Sequence, residues 1–294
     1  GKNTMNKKLM KSLAALVVLA GAVTLTSCDK KAAATAEGDG AGEAATPAFA
    51  IPEGAKHVTA ADLKTLTDEV IVFDKKTLYL GDDALKNNAT VREIYITEGF
   101  EFISPGSLCN CTNLEKLVVA PGASCKVYND NAVQNCTKLK SVTGDVLTVG
   151  LETFKGCSAL EEATFGNGLY WVRDGAFKGC TNLRKLLLSA TLSKMEGEAF
   201  DTCDKLEEVG IPTSYMKQLL GKFAGSQNMK KLFLLGMEVK PFPAEAQSLP
   251  CENIDVYVAD CMVEQFKADA SYARFKSIKP MSESGYYNAD CFFN

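Results

Sequence analysis

Eleven of the 294 residues are cysteines, and five of them, Cys111, Cys136, Cys157, Cys180 and Cys203, recur in a repeated context. A thiol at a fixed spacing admits four chemistries: nucleophile, metal ligand, half of a disulfide, or small apolar fill in a core. Nucleophilic use needs a base. The chain has a single histidine, His57, with no serine or cysteine nucleophile motif around it. Metal binding needs paired ligands, and Cys109-x-Cys111, the nearest approach, lacks a second pair. The sequence holds no HExxH, no GxxxxGK[ST], no GxGxxG after a strand, no GxSxG and no CxxC. No catalytic residue, metal, cofactor or enzymatic activity is therefore expected. Cys109, Cys251, Cys261 and Cys291 stand outside the repeated column, and Cys125 sits at an apolar position. Export would allow some of these to oxidise, Cys251 with Cys261 for instance, but spacing fixes no pairing, and all are read as reduced.

The elements that position the thiols come from an internal repeat. Phe154, Phe177, Phe200 and Phe223 are each followed three residues later by Cys157, Cys180, Cys203 and Ser226, and three later again by Leu160, Leu183, Leu206 and Met229. The register runs back through Cys136 and Leu139, then Cys111 and Leu114, and more weakly to Leu85, Asn88 and Val91. Serine and asparagine can stand in the thiol column, so the column reads as core fill. The preceding column holds Asn87, Asn110, Asn135, Gly156, Gly179, Thr202 and Gly225. Asparagine and glycine tolerate a left-handed backbone, so a tight reversal belongs here, with Thr202 breaking the pattern. After the leucine column, pairs such as Ile94/Ile96, Leu117/Val119 and Leu186/Leu188 have the period-two spacing of short strands. Each coil is thus one strand, one turn and one short helix-like return. Coils of this kind bury their apolar side only by stacking.

The stretches GAFKGCTNLRKLLL (175–188) and EAFDTCDKLEEVGI (198–211) resemble the BspA-like branch of the leucine-rich repeats. The resemblance covers roughly residues 58 to 280. It implies an α/β fold: a right-handed leucine-rich-repeat solenoid of about seven coils of roughly 23 residues, with a parallel sheet on one face and a cap at each end. It also implies an extracellular protein that binds host proteins or other cells.

Two further columns concern the surface. Arg92, Glu115, Lys140, Glu161, Arg184, Glu207 and Lys230 alternate in sign, as do Glu162, Lys185, Glu208 and Lys231 in the next column. In a parallel stack such residues lie about 4.8 Å apart, so opposite signs attract and resist slippage by one coil. Between the inward strand pairs lie Tyr95, Val118, Thr143, Thr164, Leu187, Gly210 and Phe233. This column is the candidate binding face; its alternative is an outer face covered by neighbouring charged stems.

At the ends, 61–80 reads as a short helical pattern followed by strand-like runs that cap the first coil. Residues 254–280 read as a strand, a helix capped by Asp260 and a closing strand. The N-terminal stretch MNKKLMKSLAALVVLAGAVTLTSC has a basic start at Met5, an apolar run too short to span a bilayer, and a Leu25-Thr26-Ser27-Cys28 end that resembles the lipobox of bacterial lipoproteins. That resemblance implies acylation of Cys28, hence a lipid-anchored protein of a Gram-negative envelope, at the outer membrane and exposed on the surface. Ala- and Gly-rich DKKAAATAEGDGAGEAATPAFAIPEGAK follows as a tether. The expected division is 1–27 signal peptide, 28–57 lipidated flexible tether, 58–250 solenoid with N-terminal cap, and 251–294 C-terminal cap and tail. A net charge of −4 gives no clustered basic surface for nucleic acid. The expected partners are a membrane, through the lipid, and a protein of host or envelope. A structural role in the envelope and glycan binding are the alternatives, and Trp171 with scattered tyrosines forms no evident sugar platform.

Overall fold

The computed structural model describes residues 57–73, 77–96, 100–119, 126–166, 168–223 and 226–285. Cys28, the rest of the N-terminal segment to residue 56, Cys125, Gly225 and Cys291 lie outside them.

The repeated apolar pairs form a ten-stranded parallel sheet. Its strands follow chain order, from Val70–Phe73 and Glu93–Ile96 to Asp255–Val258 and Ser277–Pro280. Equivalent residues pair directly: Ile94 lies opposite Leu117, and Leu186 opposite Val209. Inward residues such as Leu117, Val142, Leu186 and Leu232 are fully buried, while Ile278 of the last strand is only partly so. One core runs from Val58 to Phe275. Within it the phenylalanine column stacks coil on coil, with ring centroids 5.2 Å apart for Phe154 and Phe177 and again for Phe177 and Phe200. Phe223 continues the row at 5.4 Å from Phe200.

The expected sheet on one face is accompanied by a second. Seven two-residue strands, among them His57–Val58, Tyr79–Leu80, Phe102–Ile103 and Trp171–Val172, make a narrow parallel sheet, also in chain order. Through Met195 every coil therefore contributes one strand to each sheet, and the return expected to be helix-like is a set of turns. The cause is local. Asn87, Asn110, Asn135, Gly156, Gly179 and Thr202 all have positive φ, from 58° to 80°. Asp83, Gly106, Asn131, Glu152 and Gly175, four residues earlier in each coil, do too. Two left-handed residues so close together stop a helix from propagating. The amides freed in this way bond to the next coil instead: Leu85 N–H to Ser107 O at 2.8 Å, Phe154 N–H to Ala176 O at 2.8 Å, Gly156 N–H to Lys178 O at 2.8 Å.

The caps are built by continuing the stack. Residues 57–73 form a coil of their own, with a strand in each sheet. After Met195 the narrow sheet ends, and short helical segments including α1 (Met216–Leu220) and α2 (Val263–Ala268) carry the return, while the wide sheet gains its last strands. The strand, helix and closing strand expected over 254–280 are Asp255–Val258, α2 and Ser277–Pro280. Asp260 does not cap α2. Its carboxylate accepts from Ser282 N–H at 3.0 Å, which ties the cap to the segment after the last strand.

Candidate binding surface

The repeated thiols are held deep in the stack. Cys111, Cys136, Cys157, Cys180 and Cys203 are at most 4 % exposed, and all are free. Each Sγ–H donates to a carbonyl of the preceding coil: Cys111 to Leu85 at 3.1 Å, Cys136 to Leu108 at 3.1 Å, Cys157 to Val133 at 3.2 Å, Cys180 to Phe154 at 3.3 Å and Cys203 to Phe177 at 3.5 Å. Four of these carbonyls, those of Leu85, Leu108, Phe154 and Phe177, also accept the backbone N–H of the thiol column in their own coil, as Phe154 O does from Cys157 at 3.0 Å. A thiol is small enough to leave room for the phenylalanine stack and supplies a weak donor to an otherwise half-used carbonyl. Burial pushes the Cys180 thiol well up and Cys203 up to about 12, the opposite of what a nucleophile needs. Cys109 is buried, with its Sγ 3.9 Å from Gln134 Oε1. Cys251 is buried and Cys261 exposed, both free. Among the described residues no group of three or more His, Cys, Asp or Glu could hold a metal ion.

The outward column of the wide sheet divides into two parts. Val118, Thr143 and Thr164 are partly exposed. Tyr95 was also expected on the open face and is only 8 % exposed: its hydroxyl donates to Glu93 Oε2, and the Lys116 ammonium sits 5.7 Å from its ring centroid. Leu187 and Phe233 were expected on an open face and are instead only 2 % exposed each. They form a second apolar cluster with Leu235, Tyr257 and Met281. Gly210 explains the closure. A Cβ there would lie 2.9 Å from Leu187 Cδ2, so its absence lets Leu187 fold over the neighbouring strand, while Phe233 stacks on Tyr257 at 5.2 Å. The C-terminal half of this column is a covered mini-core and is not available for binding.

An open row occurs on the narrow sheet, which the sequence reading missed. The first residue of each of its strands points outward: His57, Tyr79, Phe102, Val127, Thr148, Trp171 and Lys194 are partly or fully exposed, and all but one of their strand partners are buried. His57 lies 4.3 Å from Tyr79, and Tyr79 stacks on Phe102 at 4.8 Å with an interplanar angle of 13°. Toward the other end two cations lie over Trp171, Lys194 Nζ at 3.7 Å from its ring centroid and the Arg173 guanidinium at 5.3 Å. Beside this row Leu147 is 47 % and Tyr170 55 % exposed, two of the three large exposed hydrophobic side chains among the described residues. The signal was present in the sequence as apolar pairs such as YL, FI, VY and WV recurring at the coil spacing; two-residue strands are too short for a periodicity test to register.

Comparison with known proteins gives one family and several similar folds. The family model described as "BspA type Leucine rich repeat region" matches in six copies over residues 64–145 and 129–246. Among solved structures the chain is similar to a leucine-rich repeat protein of Bacteroides ovatus, at 14 % identity and a TM-score of 0.34 over 80 % of this chain and 75 % of that one. It is also similar to the Treponema pallidum leucine-rich repeat protein, at 14 % identity and 0.38 over 71 % and 85 %, and to an internalin of Listeria monocytogenes, at 16 % and 0.31 over 74 % and 75 %. No curated protein matches. With the family model spanning most of the described stack, the chain belongs to the BspA-type leucine-rich repeat family.

Proposed function

We propose that this chain is an exported, lipid-anchored binding protein that recognises a protein partner through the outward face of its narrow sheet. Membership of a leucine-rich repeat family points to a protein-binding module. The observation that carries the reading further is the outward aromatic row, Tyr79 and Phe102 at one end, Tyr170 and Trp171 at the other. Aligned aromatic side chains left partly open to solvent on a rigid sheet are what protein interfaces use as anchors, because they bury much area at little entropic cost. The Lys194 ammonium over the Trp171 ring occupies one of the faces on which a sugar would stack, which favours a protein over a glycan. The lipobox-like Cys28 supplies the anchor and the Ala- and Gly-rich tether the reach. The buried thiols, with burial raising Cys180 and Cys203, support a non-catalytic role.

The test displays the full chain on cells and measures capture of host-cell and envelope proteins. A Tyr79→Ala, Phe102→Ala, Tyr170→Ala, Trp171→Ala variant should lose, while remaining folded, the partners that the natural chain retains. Retention of every partner by this variant would remove the narrow sheet from the function. Separately, Cys28→Ser should abolish incorporation of a labelled fatty acid and release the chain from membranes; unchanged fractionation would refute the anchor.

A further inference from the structure

The charges at the start of the wide-sheet strands follow two different rules along the stack. In the early coils the adjacent pair is mixed: Arg92 beside Glu93, then Glu115 beside Lys116. From the Glu162–Phe165 strand onward the pair is of one sign, and the sign alternates by coil: Glu161 and Glu162, then Arg184 and Lys185, then Glu207 and Glu208, then Lys230 and Lys231. The first six of these residues line one shallow depression. Neighbouring coils are in direct register, Glu162 opposite Lys185, Lys185 opposite Glu208, Glu208 opposite Lys231.

Alternation along each column suffices to stabilise the stack, and it is used: Lys231 pairs with Glu208 at 3.0 Å, Lys230 with Glu207 at 2.8 Å, Lys185 with Glu162 at 3.8 Å. Stability of the single chain does not ask the two columns to share a sign. Like charges on adjacent residues oppose it, and the mixed pairs of the early coils avoid that cost. The change from a checkerboard to stripes therefore calls for something outside the chain that reads stripes. Arg184 is exposed in the middle of the pattern and has no ion-pair partner among the described residues, so its guanidinium fork is open to a carboxylate.

We propose that this striped strip is a self-complementary interface for a second copy of the chain. A two-fold axis parallel to the strands, passing between Lys185–Leu187 and Glu208–Pro212, lays the two stacks face to face and antiparallel. It sets the Arg184 and Lys185 stripe of one copy over the Glu207 and Glu208 stripe of the other, and the Glu161 and Glu162 stripe over Lys230 and Lys231. All four contacts generated by the axis are then between opposite signs. A two-fold along the stack would set each stripe on its own like, and an axis centred on a coil would do the same for the stripes on either side, so the pattern selects the orientation. The strip is narrow and most of its charges already have partners within the chain, which makes the association weak and salt-sensitive. It uses the sheet opposite in role to the aromatic row and does not rest on that row binding anything.

The experiment is sedimentation of the whole chain across concentration and salt, with two charge-reversed variants. The natural chain should self-associate at roughly 0.01 M salt and dissociate at roughly 1 M, where the Debye length falls from about 30 Å to about 3 Å. Glu207→Lys with Glu208→Lys should be monomeric at low salt, and so should Arg184→Glu with Lys185→Glu. An equimolar mixture of the two should form a heterodimer, because each then presents the stripe the other lacks, and two unfolded variants could not do this. A natural chain that stays monomeric at low salt, or a mixture that stays monomeric while the natural chain associates, would overturn the proposal.

Discussion

At the residue scale the central object is a thiol that bonds to the coil before it. Cys180 is fully buried and its sulfur spans to Phe154 O. Replacing it with alanine removes the donor and leaves a void, and we expect a loss of about 1–2 kcal/mol in urea unfolding. Cys180→Ser should cost less than the alanine variant, since the stack already accepts Ser226 in this column at 3 % exposure. The same burial makes stability pH-dependent. Cys203 titrates at about 12 in the fold against an ordinary thiol value of 9.0. Above the lower value the unfolded chain loses this proton while the native chain keeps it, so the unfolded state binds fewer protons and stability falls as pH rises through the window to about 12. Below the lower value the contribution is complete. A Cys203→Ser variant should show a shallower alkaline decline than the natural chain when both are unfolded in urea at each pH. Thr202 is a second residue-scale test. The sequence marks it as the exception in an Asn and Gly column, yet its φ is 69°, the same left-handed turn as its neighbours. A β-branched residue is strained there. Thr202→Asn should raise stability by about 1 kcal/mol, read as a higher urea midpoint, and a lower midpoint would show that the bond from Gly179 N–H to Thr202 Oγ1 outweighs the strain.

At the scale of elements, the stack is pinned by contacts that reach across coils. Arg173 Nη1 meets both Asp130 oxygens, at 2.7 and 3.0 Å, two coils away. It passes the intervening coil where Gly150 stands, and a Cβ on Gly150 would lie 2.7 Å from the Asn129 carbonyl carbon and 2.8 Å from Asp130 Oδ1. Gly150→Ala must displace backbone as well as break the ion pair, and we expect a loss of about 2–3 kcal/mol, clearly larger than for Arg173→Ala. How far these elements can be read from sequence depends on length and repetition. The Phe, Cys and Leu columns mark the coil and its wide-sheet strand because each column recurs in many coils and each strand shows its inward pair. The helix-like return was misjudged at Asp83, Asn131 and Glu152. A second left-handed position held by Asp, Asn and Glu as well as Gly leaves no uniform residue type to see. The covering of Leu187 and Phe233 was not legible either: Tyr257 continues their column opposite Phe233, but Met281 comes from the segment after the last strand and follows no column of the repeat.

At the scale of the whole molecule, one continuous core runs the length of the stack and takes up the repeated thiols in its packing, and the proposed function falls to the outer faces. The wide sheet is charged along its strand starts and closed over its C-terminal half; the narrow sheet shows aromatic rings. Both follow from coils that put one strand in each sheet through Met195. Native-state thiol labelling of the whole chain, mapped by mass spectrometry residue by residue, tests this division most directly. We expect Cys261, the exposed thiol among the described residues, to react promptly, and Cys111, Cys136, Cys157, Cys180 and Cys203 to stay unlabelled until denaturant is added. Prompt labelling of any of those five in the folded chain would contradict it.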